Sequence, residues 1–254
     1  SMTPILGIDV GGSGIKGALV DLERGEPVTK RKRIKTPASF GLDEVAATIA
    51  KLARKFDYSG PVGVGFPAAV ADGIVLTPPT AHHFPGWVGR AVDERFSAAT
   101  GCPVTVLNDA DAAGLAEVRF GAGKGVAGVV VTITLGTGVG GGLFMDGRLV
   151  PNLEIGKLYL SGHDEVAEQY VASRIRDEET LDWADYAARV GEFLRHVEHL
   201  LSPQLIIIGG GISGKHRKFL RPGMLERTRV VPASLRNEAG IVGAACRAAE
   251  RHAR

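Results

Sequence analysis

Residues 9–19 read DVGGSGIKGAL and residues 134–143 read TLGTGVGGGL, and these two related stretches decide the fold. Each begins at the end of an apolar run, passes through a glycine-rich turn and resumes as a second apolar run. That pattern predicts two strands joined at a glycine tip. Because the two stretches align with a one-residue gap, they indicate that one supersecondary unit occurs twice in the chain.

The segments that follow each hairpin alternate between helix and strand patterns. Apolar residues recur at helical spacing in 43–56 and again in 180–201. Residues 61–70 and 204–208 instead read as buried strands, the second of which runs into a further glycine turn. The alternation of helices and strands predicts an α/β fold.

Two similar halves predict two α/β lobes with a central cleft. We expect a smaller lobe formed by 1–108 together with 241–254, and a larger lobe formed by 109–240. In the second predicted helix, core packing is favoured over ligand contact for Trp183 and Tyr186, because they lie at helical spacing with apolar residues.

Composition excludes several classes of protein. The chain has 254 residues, 44% of them apolar and 23% charged, with a net charge of +2, which indicates a soluble globular protein that binds neither membrane nor nucleic acid. The basic run KRKRIK at 30–35 reads as the solvated face of a strand, with an anion site as the alternative. Cys102 and Cys246 are too few for a zinc site and fit a reduced, cytoplasmic setting.

Three glycine-rich loops follow apolar strands, at 11–17, 136–142 and 209–214. Glycine lets a ligand approach the backbone closely, so such loops can present several N–H groups to one anion. Their spacing matches neither the Walker motif nor a Rossmann fingerprint. The loops therefore predict phosphate binding in a different fold.

The ordered set DVGGSGIKG, NDADAAGLAE, TLGTGVGGG and IIIGGGIS resembles the ROK family of sugar kinases, and in particular its polyphosphate-using branch. The resemblance implies the duplicated actin/hexokinase-like (ribonuclease H-like) fold. It also implies that the two hairpins and the third loop bind the phosphoryl donor, and that Asp9 orients Mg²⁺. The donor-binding residues it implies are Asp9, Gly11, Gly12, Ser13, Gly14, Lys16, Gly136, Thr137, Gly138, Gly210 and Gly211. For Lys16, solvent exposure and a phosphate contact both stay open.

Asp109 lies where an apolar strand meets a predicted helix, in the stretch VTVLNDADAAGLAE. A carboxylate there can accept the proton of an attacking hydroxyl, although Asp109 or Asp111 can equally cap the helix. From position alone both roles stay open. The resemblance implies that Asp109 is the catalytic base, that Asn108 holds the sugar and that Asp111 is structural.

The resemblance also implies a sugar pocket that includes Gly65, Glu154 and Glu168, but Lys157 replaces the histidine of the family's E-x-G-H motif. Tyr159 likewise replaces a glutamate that the polyphosphate branch tends to have. Charged lysine donates hydrogen bonds but accepts none. Four roles for Lys157 stay open: donating to a sugar hydroxyl, pairing with Glu154 or Glu168, recognising an anionic substituent, or marking a lost activity.

His82 and His83 lie near another sugar-side segment. They read as loop histidines, with ligation of the sugar as the alternative.

The resemblance implies a cytoplasmic, dimeric hexose kinase, in the first place a glucokinase that phosphorylates the sugar 6-hydroxyl with ATP, polyphosphate or both. The zinc loop of many ROK proteins is absent, so no zinc is expected. The alternatives are a sugar sensor with altered specificity or lost activity, and an actin-like filament protein. ROK repressors carry an amino-terminal DNA-binding domain, whereas the first hairpin here begins by residue 7, which argues against a repressor.

The basic run at 215–218 has two interpretations. It can be a surface along which polyphosphate binds beyond the third loop, or the ordinary solvated start of a helix.

Overall fold

The computed structural model describes residues 3–80 and 86–252. The strands are β1 (Ile5–Val10), β2 (Gly14–Asp21), β3 (Glu26–Pro27), β4 (Lys32–Lys35), β5 (Val62–Phe66), β6 (Val70–Ala71), β7 (Ile74–Val75), β8 (Val104–Asn108), β9 (Val129–Leu135), β10 (Val139–Met145), β11 (Arg148–Val150), β12 (Leu205–Gly209) and β13 (Arg229–Pro232). The α-helices are α1 (Leu42–Arg54), α2 (Val92–Thr100), α3 (Asp109–Phe120), α4 (Glu168–Val171), α5 (Ser173–Glu178), α6 (Trp183–Leu201) and α7 (Ala239–His252). Short 3₁₀ helices span Ile155–Lys157, Gly211–Lys218 and Arg236–Glu238.

Internal contacts divide the chain into two compact units. Unit 1 comprises Ser1–Ala116 and Asn237–Arg254, and unit 2 comprises Glu117–Arg236. The sequence placed the first boundary at 108/109, where a strand gives way to a helix. The first contact-based unit ends inside α3, and the predicted lobe boundaries at 108/109 and 240/241 stay predictions.

Unit 1 is built on a six-stranded sheet of order β3-β2-β1-β5-β8, with β4 also paired to β2. The strands β1 and β2 form the predicted antiparallel hairpin, with Val10 opposite Ile15 beside the glycine tip. The strands β1, β5 and β8 run parallel, so their carboxyl ends lie at one edge of the sheet. The predicted first hairpin and the buried strand after it are thus confirmed.

Unit 2 repeats this plan in a five-stranded sheet of order β11-β10-β9-β12-β13. The strands β9 and β10 form the second predicted hairpin, and β9, β12 and β13 run parallel. In both sheets the first strand of the hairpin therefore pairs with a later parallel strand on its other side. This shared topology confirms the duplication that the two glycine hairpins predict.

The helix α7 packs on the sheet of unit 1 at backbone-to-backbone distance. A Cβ added at Gly63 on β5 would lie 1.7 Å from the carbonyl oxygen of Ala244 in α7. A Cβ at Gly243 would lie 1.6 Å from the carbonyl oxygen of Ala112 in α3. Only glycine is compatible with such close approach, so these two positions set where α3 and α7 lie.

The two long helices bury the faces that their periodicity predicts. The helix α1 buries Val45, Ile49 and Leu52 in the core of unit 1. In α6, Tyr186 is fully buried and donates from its hydroxyl to the carbonyl of Val171, while Trp183 stacks on the core residue Phe219. Core packing of the aromatic residues is therefore confirmed. Across residues 3–80 and 86–252, no helix is both long enough and apolar enough to cross a membrane.

The exposed strand β4 accounts for most of the basic run at 30–35. One of its residues is also tied to the first glycine tip, since the Arg33 guanidinium donates to the carbonyl of Ser13 at 2.7 Å. The solvated-strand interpretation fits this run, and Arg33 in addition holds the loop that the sequence assigns to phosphate.

Glu198 is a buried carboxylate that anchors a loop of unit 2 to α6. Only 3% of the residue is exposed, and its two carboxylate oxygens accept hydrogen bonds from the backbone N–H groups of Glu226, Arg227 and Thr228. Burial alone would raise the pKa of Glu198, but the hydrogen bonds donated by residues 226–228 outweigh it and lower the pKa to about 2.

We predict that Glu198→Gln lowers the free energy of unfolding at pH 7 by about 2 to 4 kcal/mol, because buried donors lose a charged acceptor. The folded pKa lies below the ordinary value of 4.5, so the carboxylate stabilises the fold above pH 4.5. This contribution is lost as the pH falls toward 2. Urea unfolding of both proteins between pH 7 and pH 3 measures the difference, which should shrink as the pH falls; a constant difference would contradict the assignment.

Candidate active site

The carboxyl edge of the parallel strands in unit 1 brings together side chains that the sequence separates by about a hundred positions. Asp9 on β1 pairs in register with Gly65 on β5, and Gly65 pairs with Leu107 on β8. The next residues of β8 and α3 are Asn108 and Asp109. A Cβ placed at Gly65 would lie 3.6 Å from the Asp109 Cα and 3.7 Å from Asp9 Oδ1. Gly65 thus leaves a gap between the two aspartates.

Asn108 caps the helix α3. Its Oδ1 accepts hydrogen bonds from the N–H groups of Ala110 and Asp111, and its Nδ2 donates to the carbonyl of Ala68. These bonds fix the strand-to-helix junction, because an N-cap side chain satisfies the first unpaired N–H groups of a helix. The capping role that the sequence left open for Asp109 or Asp111 is therefore carried by Asn108.

Asp109 is the first residue of α3 and is half-buried. Its Oδ1 accepts a hydrogen bond from the N–H of Ala110 at 2.8 Å, which orients the carboxylate. A carboxylate at a helix N-terminus is stabilised by the helix dipole. Asp111, by contrast, is 1% exposed, in keeping with the structural role expected for it.

Asp9 lies beside the start of α7 and near two cations. Burial raises the pKa of Asp9, and the nearby cations of Lys16 and Arg31 oppose that shift. The Lys16 ammonium lies 3.9 Å from Asp9 Oδ2, and both side chains stay partly accessible. A Cβ at Gly240 would lie 3.1 Å from Asp9 Oδ2, so the absence of a side chain there leaves room beside the carboxylate. A desolvated carboxylate with a cation nearby is typical of a functional site.

The first glycine tip is closed by a backbone bond from the Gly11 N–H to the carbonyl of Gly14 at 2.9 Å. Thr36, the residue after β4, supports it, since its hydroxyl donates to the carbonyl of Gly11 and its N–H donates to that of Ser13. The Gly11 N–H is thus used within the turn. Sequence reasoning missed Thr36, because nothing in its local pattern marks it as a partner of the tip.

The second tip, at Gly136, Thr137 and Gly138, is closed in the same way by a bond from the Gly136 N–H to the carbonyl of Gly138. Arg174 holds it from outside, since its N–H donates to the carbonyl of Gly136 and its Nε donates to that of Thr137. Sequence reasoning also missed Arg174, which lies in α5 far along the chain.

The third loop lies against the end of β9, directly before the second tip. Gly210 has a φ of +87°, and a Cβ on it would lie 2.3 Å from the carbonyl oxygen of Leu135. Glycine is therefore required at this position. The loops of 136–138 and 210–211 leave neighbouring parallel strands at their carboxyl ends, the usual place for a ligand in an α/β sheet.

The sugar-motif residues of unit 2 meet the second hairpin at Val139. Glu168 Oε2 accepts the N–H of Val139 at 2.8 Å. A Cβ on Gly156 would lie 2.6 Å from the carbonyl oxygen of Val139, so the motif glycine allows close packing there. The segment with Glu154 and Lys157 is thereby held beside the second glycine tip.

Lys157 pairs with Glu154. The two charged groups are 4.0 Å apart across the short 3₁₀ helix, and 62% of the Lys157 side chain is exposed. Of the roles that the sequence left open, the structure shows the pair with Glu154. An exposed pair of this kind contributes only about 0.2 to 1 kcal/mol, so a bound ligand can displace it at little cost.

Within residues 3–80 and 86–252, no three His, Cys, Asp or Glu side chains form a cluster that would hold a metal ion. His82 and His83 lie outside the described residues.

Comparisons of the sequence and the structure with known proteins all find similarity to sugar kinases of the ROK family. The sequence profile of the ROK family matches residues 5–163. The polyphosphate glucokinase of Mycobacterium tuberculosis is 44% identical over 240 residues, 94% of this chain and 89% of that protein. The inorganic polyphosphate/ATP-glucomannokinase of Arthrobacter sp. strain KM is 44% identical with a TM-score of 0.88, over 99% of this chain and 100% of that one. A ROK family glucokinase from Streptomyces griseus, solved with glucose and AMPPNP, is 25% identical with a TM-score of 0.76, over 97% and 99% of the two chains.

We predict that Gly65→Ala folds normally but loses catalytic activity. The added methyl group meets atoms at 3.6 and 3.7 Å, an ordinary contact distance, so the free energy of unfolding should change by less than about 1 kcal/mol. Activity should fall by about 10-fold or more, because the methyl group fills the gap beside Asp9 and Asp109. Urea unfolding and steady-state kinetics measure the two effects.

Gly63→Ala is the matched control on the same strand. Its methyl group would lie 1.7 Å from the Ala244 carbonyl oxygen, so a loss of about 4 kcal/mol or failure to fold is expected. Equal destabilisation by the two substitutions would show that the gap at Gly65 is a packing contact instead of a site.

Proposed function

The chain belongs to the ROK family, and on that premise we propose that it is a hexose kinase that transfers a phosphoryl group to the 6-hydroxyl of glucose. Its two units have the actin/hexokinase-like fold of ROK sugar kinases. The observation that supports the proposal most is the placement of Asp109 at the start of α3, beside Gly65 and Asp9 at one sheet edge.

Asp109 is the proposed general base. Its carboxylate would accept the proton of the sugar hydroxyl as that oxygen attacks the phosphoryl donor, a role worth about 10²- to 10⁴-fold in rate. Asn108 fixes the junction through its capping bonds, so the base is carried on a rigid strand-to-helix turn. The glycine tips would bind the donor, since phosphoryl transfer depends mainly on positioning and charge neutralisation.

Mg²⁺ is the proposed cofactor, held by Asp9. Proteins usually bind this ion through one or two carboxylates together with waters and substrate phosphates, so a single carboxylate beside the first glycine tip fits it. When bound, the ion would neutralise charge on the transferring phosphate. Lys16, 3.9 Å from Asp9, would contribute a second positive charge.

Polyphosphate is the proposed donor alongside ATP. Both relatives at 44% identity are named for polyphosphate. Unit 2 also gathers three cations around the ring of Trp183, with Arg176 at 3.8 Å, Lys218 at 5.3 Å and Lys215 at 5.9 Å from its centroid. A concentration of positive charge beyond the third loop suits a polyanion longer than ATP, although cation–aromatic packing alone also accounts for it.

A coupled assay for glucose 6-phosphate with ATP, and in parallel with long-chain polyphosphate, tests the function. Turnover with either donor supports it, and no turnover with any hexose favours a sugar sensor. Cytoplasmic location and a homodimer stay predictions.

We predict that Asp109→Asn lowers kcat by at least about 10²-fold, because the amide accepts no proton. The dissociation constant of glucose should change little, since Asn has the same shape and the junction is held by Asn108. Titration calorimetry with glucose serves as the control for an intact site. Turnover close to that of the unaltered protein would leave Asp109 with a structural role only.

We predict that Lys157→His lowers the KM for glucose by up to about 5-fold. The substitution removes the ammonium that pairs with Glu154 and adds a neutral acceptor, each effect being worth about 1 kcal/mol or less. Lys157→Met is the matched control, because it removes the charge without adding an acceptor. Steady-state kinetics of the unaltered protein and both variants with hexoses, amino sugars and acidic sugars distinguishes the remaining roles of Lys157.

If Lys157 recognises an anionic substituent, both substitutions should weaken the binding of an acidic sugar, whereas the binding of glucose should become stronger. Strong glucokinase activity that Lys157→His abolishes would show that the lysine is a working part of a glucose site.

A further inference from the structure

The sugar-motif residues of unit 2 lie at the two ends of one loop, residues 158–167. Lys157 comes directly before this loop, and Glu168 begins α4 directly after it. The ends of the loop are joined, since the Ala167 N–H donates to the carbonyl of Leu158 at 2.8 Å. Whatever holds the loop 158–167 and α4 therefore also holds both parts of the motif.

Glu192 on α6 contacts both the loop 158–167 and α4. Its Oε1 lies 2.8 Å from Nε2 of His163, and its Oε2 accepts the hydroxyl of Tyr170 at 2.8 Å. Burial alone would raise the pKa of Glu192, but the hydrogen bonds from Tyr170 and His163 outweigh it and lower the pKa. An ionised carboxylate only accepts hydrogen bonds, so the histidine ring is the donor. Glu192 thus uses one oxygen for the loop and the other for α4.

The two partners of Glu192 also pack against each other and against α6. The rings of His163 and Tyr170 meet edge to face, with their centroids 4.5 Å apart. Arg189, three residues before Glu192, lies 4.6 Å from the centroid of the Tyr170 ring and donates to the Tyr170 carbonyl at 3.2 Å. All of these residues belong to unit 2. They fix the loop 158–167 and α4 on one face of α6.

The short helix α4 connects this cluster to Glu168. Tyr170 and Glu168 are two residues apart in a helix of four, so a displacement of one moves the other. Glu168 Oε2 accepts the N–H of Val139 at 2.8 Å, and a Cβ on Gly138 would lie 2.6 Å from the same oxygen. A continuous series of contacts within unit 2 therefore runs from Glu192, through Tyr170 and α4, to the carboxylate of Glu168.

We propose that Glu192 is a positioning residue for the sugar: from α6 it fixes the loop 158–167 and α4, and with them Lys157 and Glu168. The inference rests on the proposed kinase function. Side chains that bind a ligand must be held to within about 0.5 Å of the productive geometry, and hydrogen bonds from supporting residues supply that precision. Glu192 acts through its partners and is not itself proposed to touch the sugar.

Glu192→Ala, with Glu198→Gln as the matched control, tests the proposal in the full-length protein. Both are glutamates of α6 that anchor a neighbouring segment, but Glu198 holds residues 226–228 instead of the loop 158–167. We expect Glu192→Ala to raise the KM and the dissociation constant of glucose by about 10-fold, with kcat within about 3-fold. Glu198→Gln should lower stability and leave the KM within about 2-fold.

This comparison separates positioning from stability. A variant that only unfolds more readily loses active molecules, which lowers the measured kcat and leaves the KM unchanged. An unchanged KM for glucose in Glu192→Ala would overturn the proposal. Should Glu192→Ala not fold, Tyr170→Phe removes one hydroxyl and keeps the ring; it should raise the KM by about 2- to 5-fold, and an unchanged KM would count against the proposal.

Amide hydrogen exchange gives a readout that needs no activity. Glu192→Ala should increase exchange in the loop 158–167 and also at Val139, whose N–H is held by Glu168. An increase in the loop alone would overturn the proposal, because the effect would not reach the sugar motif. If the unaltered protein neither binds nor phosphorylates a hexose, the kinase function fails, and exchange at Val139 still decides whether Glu192 positions Glu168.

Discussion

The close approach of α7 to the sheet of unit 1 is the constraint on which the proposed site depends. The carbonyl of Ala244 occupies the space of a side chain at Gly63, and that of Ala112 does the same at Gly243. Packing at this distance places the start of α7 beside Asp9 and presses α3 toward β5, where Gly65 leaves room for the junction that carries Asp109. A larger side chain at either glycine would separate the backbones, and the two aspartates would move with them.

Unit 2 positions its loops by different means although it repeats the same topology. Its second glycine tip is held by hydrogen bonds from Arg174 and by the carboxylate of Glu168, whereas the first tip is held by Thr36 and Arg33. The duplicated backbone plan thus carries two unrelated sets of supporting side chains.

Three carboxylates of the described residues, Glu117, Glu198 and Asp9, have different surroundings. Glu117 and Glu198 accept several backbone N–H groups each, and such bonds lower the pKa of Glu198 to about 2. Burial instead raises the pKa of Asp9, and the nearby cations of Lys16 and Arg31 oppose that shift. A carboxylate that accepts several hydrogen bonds holds the fold together, whereas a desolvated one near the cations of Lys16 and Arg31 is suited to bind an ion or a substrate.

The sequence by itself determined the local elements and the family. The glycine hairpins, the helical face of α1 and the strand into α3 were predictable because hydrophobic periodicity and glycine turns reflect hydrogen bonding among near neighbours. The four motifs and their order carried the resemblance to ROK kinases. Only the tertiary structure decided that Asn108 caps α3, that Lys157 pairs with Glu154, and that Glu117 holds Ser234, 117 positions away. The first two are contacts between near neighbours, among which the sequence left several options open. The bond between Glu117 and Ser234 depends on the path of the whole chain, so no local pattern encodes it.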